Sequence, residues 1–297
     1  MSFFNTADPN MLDEWLTVGP ASRVSKATAA APHVARLLGS TVKLWRDEGR
    51  QVHALGPDGR QLPVQEQYGY LWVSAGGNTP AKPLFAFPEH AEAGRRIVDC
   101  DGIGVAVSGL RMVENFLDMA HFPYVHTHYL GEVPHTEVAP YKVQIDEVAD
   151  EIFATECRFY QPRTSGSATE GVEAQYIYRV MQPMTAMLYK TSVPRPGALD
   201  AIGLFVQPVD EERIIAYCLL AYFEDQLTDT DLIGFQHTIF GQDKPILENQ
   251  RPKRMPLVPG WETPTRCDAM SGAYRRWLKN RGVRYGAIVD APAVVPA

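Results

Sequence analysis

Cysteine is scarce in this chain, and its placement removes whole classes of chemistry. Four are present, Cys100, Cys157, Cys218 and Cys267, and none sits in a C-x-x-C or C-x-H pair. Such spacing by itself builds neither a zinc site nor an iron–sulfur site. Basic residues are also short: 28 Lys and Arg face 35 Asp and Glu, a net charge of −7, with no Lys/Arg run. That balance disfavours nucleic acid and anionic membrane surfaces as partners. No window of about 18 apolar residues is present to span a membrane. The opening Met1-Ser2-Phe3-Phe4-Asn5-Thr6 has no basic stretch followed by an apolar one. Repeats and low-complexity tracts are missing too. The default expectation is a reduced, soluble, cytoplasmic protein. With 45% hydrophobic residues in 297, the core is sizeable and fits one large or two modest domains.

The patterning divides the chain. Residues 1–26 read as a helix or loop lead-in. Residues 33–75 read as short strands: Val42, Leu44 and Trp45 precede a turn at Asp47-Glu48-Gly49, and Val52 to Leu55 follows it. Gly56-Pro57-Asp58-Gly59 makes a second turn. Tyr68 to Val73 is a β-type run, and the Gly/Pro-rich stretch 76–88 after it is a candidate domain boundary. Residues 112–121 then have helical spacing, with Val113, Phe116, Leu117 and Ala120 on one face. Strands dominate 141–223, where Ile202 to Val206 and Ile214 to Phe223 flank a hairpin-like turn, Asp210-Glu211-Glu212-Arg213. Residues 229–249 read as a long helix with Asp229 as N-cap, and 267–280 as a last amphipathic helix ending near Gly282. Strands followed by a long helix packed on them give an α+β fold.

One segment carries chemistry. In Glu114-Asn115-Phe116-Leu117-Asp118-Met119-Ala120-His121-Phe122-Pro123-Tyr124-Val125-His126, His121 falls on the apolar helix face and Asp118 lies one turn before it. Pro123 should end that helix and let His126 return beside His121. Two imidazoles with a carboxylate close behind suit a divalent metal such as iron. The long helix offers a third ligand. Its inward stripe runs Leu232, Phe235, Ile239, Ile246 and Leu247, and Asp243 falls on it. A carboxylate there is expensive to bury unless it is paired or binds metal. Pro245, two residues on, should kink the helix. Two His and one Asp with open positions form the facial triad of Fe(II) oxygenases.

The pattern D-x-x-H-x-x-x-x-H after Glu114-Asn115, with the later Ile239-Phe240-Gly241-Gln242-Asp243-Lys244-Pro245-Ile246-Leu247, resembles the iron-site motifs of Rieske oxygenase α-subunits. The demethylase branch (vanillate and methylxanthine demethylases) is the most similar. Phe205-Val206-Gln207-Pro208-Val209-Asp210 and Tyr274-Arg275-Arg276-Trp277-Leu278 extend the likeness over most of the chain. The resemblance implies that His121, His126 and Asp243 bind one Fe(II). It makes Asp118 the carboxylate through which electrons arrive and places Asn115 near the open iron face. Phe116 and Met119, with strand residues around 178–190 and 204–218, would line the substrate pocket. The implied fold is a Rieske-like β-domain (1–95) followed by a helix-grip catalytic domain (96–297), an antiparallel sheet around a long helix. The implied reaction is O2-dependent N- or O-demethylation, or hydroxylation, of a small aromatic or heterocyclic substrate.

The sequence departs from the family at one place. Members hold a 2Fe–2S cluster through a C-x-H and a C-x-x-H pair. Here the flanks remain, but the ligand stretch is reduced to Gly56-Pro57-Asp58-Gly59-Arg60, and no cysteine precedes Cys100. Electrons would then come from the Rieske cluster of a partner, an oxygenase subunit or a reductase, with NAD(P)H and flavin confined to the partner reductase. The bacterial methylxanthine N-demethylase system is similar, since one of its catalytic subunits also lacks the cluster. A trimer or a mixed hexamer is expected from the family. The rival reading is a non-catalytic scaffold subunit of such an assembly. Other features carry plainer readings: His128 and His135 near the site as supporting or surface residues, His53 and His90 as structural, and Glu248 as the substitute for Asp243. Gly102-x-Gly104 is a weak glycine pattern without nucleotide-binding context.

Overall fold

The computed structural model describes residues 4–163 and 171–290. The N-terminal part folds as short strands in two small antiparallel sheets. After a single helical turn, α1 (Pro9–Leu12), comes β1 (Leu16–Pro20), buried at every position. The reading of 1–26 as helix or loop missed this strand. A strand covered on both faces loses its alternation, and Gly19-Pro20 imitates a loop. Next follow β2 (His33–Leu37), β3 (Ser40–Arg46), β4 (Val52–Leu55), β5 (Val64–Gln67) and β6 (Tyr70–Val73). The sheets run β2-β3-β4 and β1-β6-β5. Between β4 and β5, where cluster ligands would lie, the chain closes a tight turn: the Gly56 N–H donates to Arg60 O (2.8 Å) and Gly59 N–H to Gly56 O (3.0 Å).

A larger sheet follows: β7 (Arg96–Val105), β8 (Lys142–Asp146), β9 (Glu151–Gln161), β10 (Val172–Gln182), β11 (Thr185–Thr191), β12 (Leu199–Asp210) and β13 (Arg213–Tyr222). Its order is β7-β13-β12-β11-β10-β9-β8, and each neighbouring pair is antiparallel. The expected turn at Asp210–Arg213 joins β12 to β13. The Gly102 and Gly104 pair lies on β7. A Cβ at Gly102 would meet the Tyr217 ring at 2.4 Å, so this glycine serves close strand packing.

Alternation along β12 assigns the two faces. Ile202, Leu204 and Val206 join the main core, while Ala201 and Phe205 join an aromatic cluster with Trp15, Tyr70, Trp72, Phe85, Phe87 and Tyr217. The N-terminal strands and the 76–88 stretch therefore cover the outer face of the sheet. The inner face is left for helices.

Those helices are α2 (Gly109–Leu117), α3 (Phe122–Val125), α4 (Asp229–Asn249) and α5 (Ala269–Arg281). Contacts tie α4 to β7, α2 to β12 and α5 to β8 and β9. The N-cap of α4 is Thr228 rather than the expected Asp229. Its hydroxyl accepts from the Asp231 N–H, and the Asp231 carboxylate accepts from the Thr228 N–H, a capping box. Asp229 sits in the first turn, where a negative charge favours the helix dipole. The buried stripe is Leu232, Ile239, Phe240, Asp243 and Leu247. Phe235 is half-buried, and Ile246, expected inside, is 50% exposed. The helix continues through Pro245 to Asn249. At the other end of the chain, α5 stops at Gly282, whose left-handed backbone (φ 77°) accepts no side chain cheaply. The whole is the expected α+β arrangement, an antiparallel sheet holding a long helix.

Candidate active site

The sequence predicts one helix over 112–121, but α2 stops at Leu117. Asp118 leaves it in extended backbone (φ −88°, ψ 133°), and its Oδ1 accepts from the Ala120 N–H at 2.8 Å. This local carboxylate-to-backbone bond competes with the helix and turns the chain. His121 is consequently not on α2. It is the N-cap of α3, and Pro123 begins that short helix instead of ending the first. His126 is the C-cap, with its N–H donating to Phe122 O at 3.0 Å. One turn of helix thus carries a histidine at each end. Gly131 pins this turn from outside. A Cβ there would meet Pro123 N at 2.7 Å and the Phe122 carbonyl carbon at 2.9 Å.

The three expected ligands converge. His121 Nε2 lies 3.1 Å from His126 Nε2. Asp243 Oδ1 lies 3.4 Å from His121 Nε2 and 3.1 Å from His126 Nε2. The other ring nitrogens are both engaged: His121 Nδ1 with Asp118 Oδ2 and His126 Nδ1 with Gln242 Oε1, each at 2.9 Å. Both acceptors fix the tautomer. Each Nδ1 donates, so each Nε2 turns a lone pair inward. Gln242 was not anticipated; its only signal in the sequence is its place directly before Asp243 on a helix.

Two imidazole lone pairs and a carboxylate oxygen within 3.4 Å of one another need a cation between them. Asp243 is 9% exposed, and among the described residues its Oδ1 has no hydrogen-bond donor. A proton answers the demand in part. Burial pulls the His121 pKa down, but Asp118 and Asp243 overcome this and push it up to about 9. Burial likewise raises the carboxyls of Asp118 and Asp243, and their histidine partners outweigh it and hold both below the usual range. A divalent metal satisfies all three ligand atoms at once, and the donor set fits iron. Asp118 and Gln242 are the outer partners such ligands require.

The triad sits in the wall of a largely apolar cavity. Asn115 and Phe116 line it as expected, together with Tyr178, Leu188, Leu204 and Cys218 from the expected strands. Met119 does not; it is buried (2% exposed) outside the lining, because α2 ends before it. Gln161 and Tyr176 line the cavity without having been singled out, and Phe235 and Phe240 of the long helix line it too. On the other side, Asn115, Asp118 and His121 also border an open groove formed with Ile246, Val258, Pro259, Arg276 and Lys279.

The remaining histidines stand apart. His128 is exposed near Glu132, and His135 packs on Tyr160. His53 stacks on Trp45 and pairs with Asp47, while His90 packs on Tyr68. Glu248, the substitute ligand, binds Lys244 and the Ala106 N–H instead.

An antiparallel sheet gripping a long helix thus brings a two-histidine, one-carboxylate triad that could hold a metal to the wall of an apolar cavity. Residues 105–283 match the vanillate O-demethylase oxygenase C-terminal domain. The chain is 49% identical to a probable methylxanthine N7-demethylase, NdmC, of Pseudomonas sp. (strain TJI-51), over 93% of this chain and 96% of that one. It is 24% identical to the methylxanthine N1-demethylase NdmA of Pseudomonas putida over 74% of its own length and 60% of the relative's. The solved structure of Pseudomonas putida CBB5 NdmA with caffeine shares the fold, with a TM-score of 0.74 at 18% identity, covering 91% of this chain and 90% of that chain. The chain therefore belongs to the Rieske oxygenase family, within its demethylase branch, and is an oxidoreductase. That family implies non-haem iron and electron supply through a partner.

Proposed function

We propose that this chain is the catalytic subunit of a non-haem iron N-demethylase acting on a methylxanthine-type heterocycle, with electrons supplied by a partner's Rieske cluster. The observation that carries the reading is the convergence of His121 Nε2, His126 Nε2 and Asp243 Oδ1 within 3.4 Å at an apolar cavity. The 49% identity to a probable methylxanthine N7-demethylase points to the heterocycle. Bound there, Fe(II) supplies one-electron activation of O2.

The protein's own residues do the rest. His121, His126 and Asp243 would hold the metal at the wall of the cavity that takes substrate and O2. Asp118 and Gln242 keep the two rings aimed. Phe116, Phe122, Leu204 and Ile239 give the cavity apolar walls that exclude bulk water. Asn115 lines the same space, and its buried Oδ1 has no partner among the described residues. Asp118 is 26% exposed at the groove on the far side and hydrogen-bonds His121, so it offers the short route for electrons into the site. The groove, with half-exposed Ile246 on its rim, is the docking place for the cluster-bearing partner. In this reading residues 1–95 are a Rieske-like domain without its cluster, and 96–297 are the catalytic domain in a trimer or mixed hexamer.

A scaffold subunit would have no use for two imidazoles locked into one tautomer, so the catalytic reading is preferred. The test is formaldehyde release from 7-methylxanthine by iron-loaded protein, reductase and NADH, with and without a Rieske protein. Turnover that requires the Rieske protein supports the proposal. Equal turnover with reductase alone refutes the borrowed cluster, and none in any combination refutes the N-demethylase.

A further inference from the structure

The inner face of the sheet holds hydrogen-bonding groups that the metal site does not use. Tyr176 and Tyr178 lie on β10 and Gln161 ends β9, and all three line the cavity. They are 2%, 0% and 1% exposed. Among the described residues, the two hydroxyls and Gln161 Oε1 have no hydrogen-bond partner. Buried polar groups are almost always paired, so three orphans on one wall of the cavity beside the triad call for an explanation. A ligand that completes them is the simplest.

Packing holds the groups in place. The two tyrosine rings stack at 6.1 Å with 17° between their planes. Phe116 meets Tyr178 edge-on at 6.3 Å, and Phe122, the neighbour of His121, contacts Tyr176 at 6.2 Å. The wall is thus coupled to the residues that carry the metal ligands. Burial raises both phenols far above neutral pH, so both remain hydroxyl donors. Gln161 Oε1 is an acceptor. Lys190, the β11 partner of Tyr176, lines the same wall and adds positive potential.

We propose that Tyr176, Tyr178 and Gln161 are the specificity-determining residues of this cavity. They select a planar heterocycle that carries both ring carbonyls and a ring N–H. The hydroxyls donate to the carbonyls, and Gln161 accepts from the N–H. An arene without ring carbonyl or N–H leaves all three unpaired and is rejected, because a site built for hydrogen bonds discriminates strongly against ligands that lack them. The proposal rests on the cavity being the substrate site of the N-demethylase.

The test uses metal-loaded protein without oxygen and two probes in calorimetric titration. 7-Methylxanthine carries the carbonyls and N–H groups; 7-methylpurine is the same bicycle and methyl group without them. Wild type should favour 7-methylxanthine by about 100-fold or more. Tyr176→Phe, Tyr178→Phe and Gln161→Met should each weaken 7-methylxanthine about tenfold and leave 7-methylpurine within about twofold. Since each change removes a buried group that has no partner, the variants should melt at or above the wild-type temperature. Variants that bind 7-methylxanthine as wild type does, or lose both probes equally, overturn the proposal and leave the N-demethylase intact. Wild type that binds neither probe yet releases formaldehyde from vanillate overturns the N-demethylase, and the proposal with it.

Discussion

Gln242 holds His126. The two lie 116 positions apart in sequence, and a 2.9 Å bond joins Gln242 Oε1 to His126 Nδ1. The next residue on α4, Asp243, meets the other nitrogen of the same ring at 3.1 Å. Two consecutive helical residues therefore fix both the tautomer and the direction of one imidazole. Gln242→Leu removes the acceptor and frees the ring. Metal affinity should fall about 10- to 100-fold, the usual effect of losing an outer partner. Gln242→Glu, which keeps an acceptor, should retain most of it. Competition with a metal-binding dye measures both.

Gly131 tests the backbone that positions the pair. The Cβ of Gly131→Ala would fall within 3.0 Å of the Phe122–Pro123 backbone, which has no flexible end to move aside. The turn carrying His121 and His126 must shift. Metal affinity should drop about tenfold or more, since ligand placement tolerates only about half an ångström, while far-ultraviolet circular dichroism stays that of wild type. Unchanged metal affinity would mean that the turn yields without moving the ligands.

The cluster of His121, His126 and Asp243 was legible in the sequence; its framing was not. His121, His126, Asp118 and Asp243 stand out because polar groups at apolar positions are costly, and the structure brings all four together. The helix under them was misread. Periodicity carried the helix through His121, but the Asp118 carboxylate bonds its own backbone at Ala120 and breaks it. Pro123 has two opposite roles, stopping one helix or starting another, and only the preceding turn decides between them. Ile246 was placed inside from its spacing and is half exposed, because the groove opens there. β1 and β7 escaped notice because strands covered on both faces, or carrying Gly pairs, lose the period of two. Gln161 and Tyr176 required the sheet register before they could be placed at the cavity.

An ion-pair cluster anchors α2, the helix before Asp118. Arg111, 2% exposed at its side chain, pairs with Glu114 (3.2 Å) and Glu262 (2.5 Å), and Arg275 on α5 pairs with both carboxylates. Glu114→Ala leaves two guanidinium groups to share Glu262. Breaking a buried pair costs about 3–5 kcal/mol, and the partly exposed Glu262 should limit the loss here to roughly 2–3 kcal/mol. The urea midpoint should fall without a change in slope.

Lys190 gives a pH signature. Burial pulls its pKa down to about 8, and the charge of Asp200 on β12 only partly opposes this. Tyr222 on β13 and Tyr176 on β10 also neighbour it. An unfolded lysine titrates near about 10.4. Below pH 8 the buried charge is fully present and destabilises the fold. Between about pH 8 and 10.4 the unfolded chain holds a proton that the folded chain has released, so stability rises with pH. Lys190→Met should be more stable than wild type at pH 7, on the order of 2–3 kcal/mol, and the gap should close towards pH 10. Urea unfolding of both proteins at pH 7 and 9.5 decides it; a gap that does not narrow contradicts the assignment.

The central claim is a lone mononuclear iron site in a chain that carries no cluster of its own. Its most direct test is iron and acid-labile sulfide per chain in protein purified without oxygen, beside His121→Ala. We expect about one iron and no sulfide in wild type, and no iron in the variant. Sulfide in stoichiometric amount, or no iron in wild type even after reconstitution with Fe(II), would contradict the account.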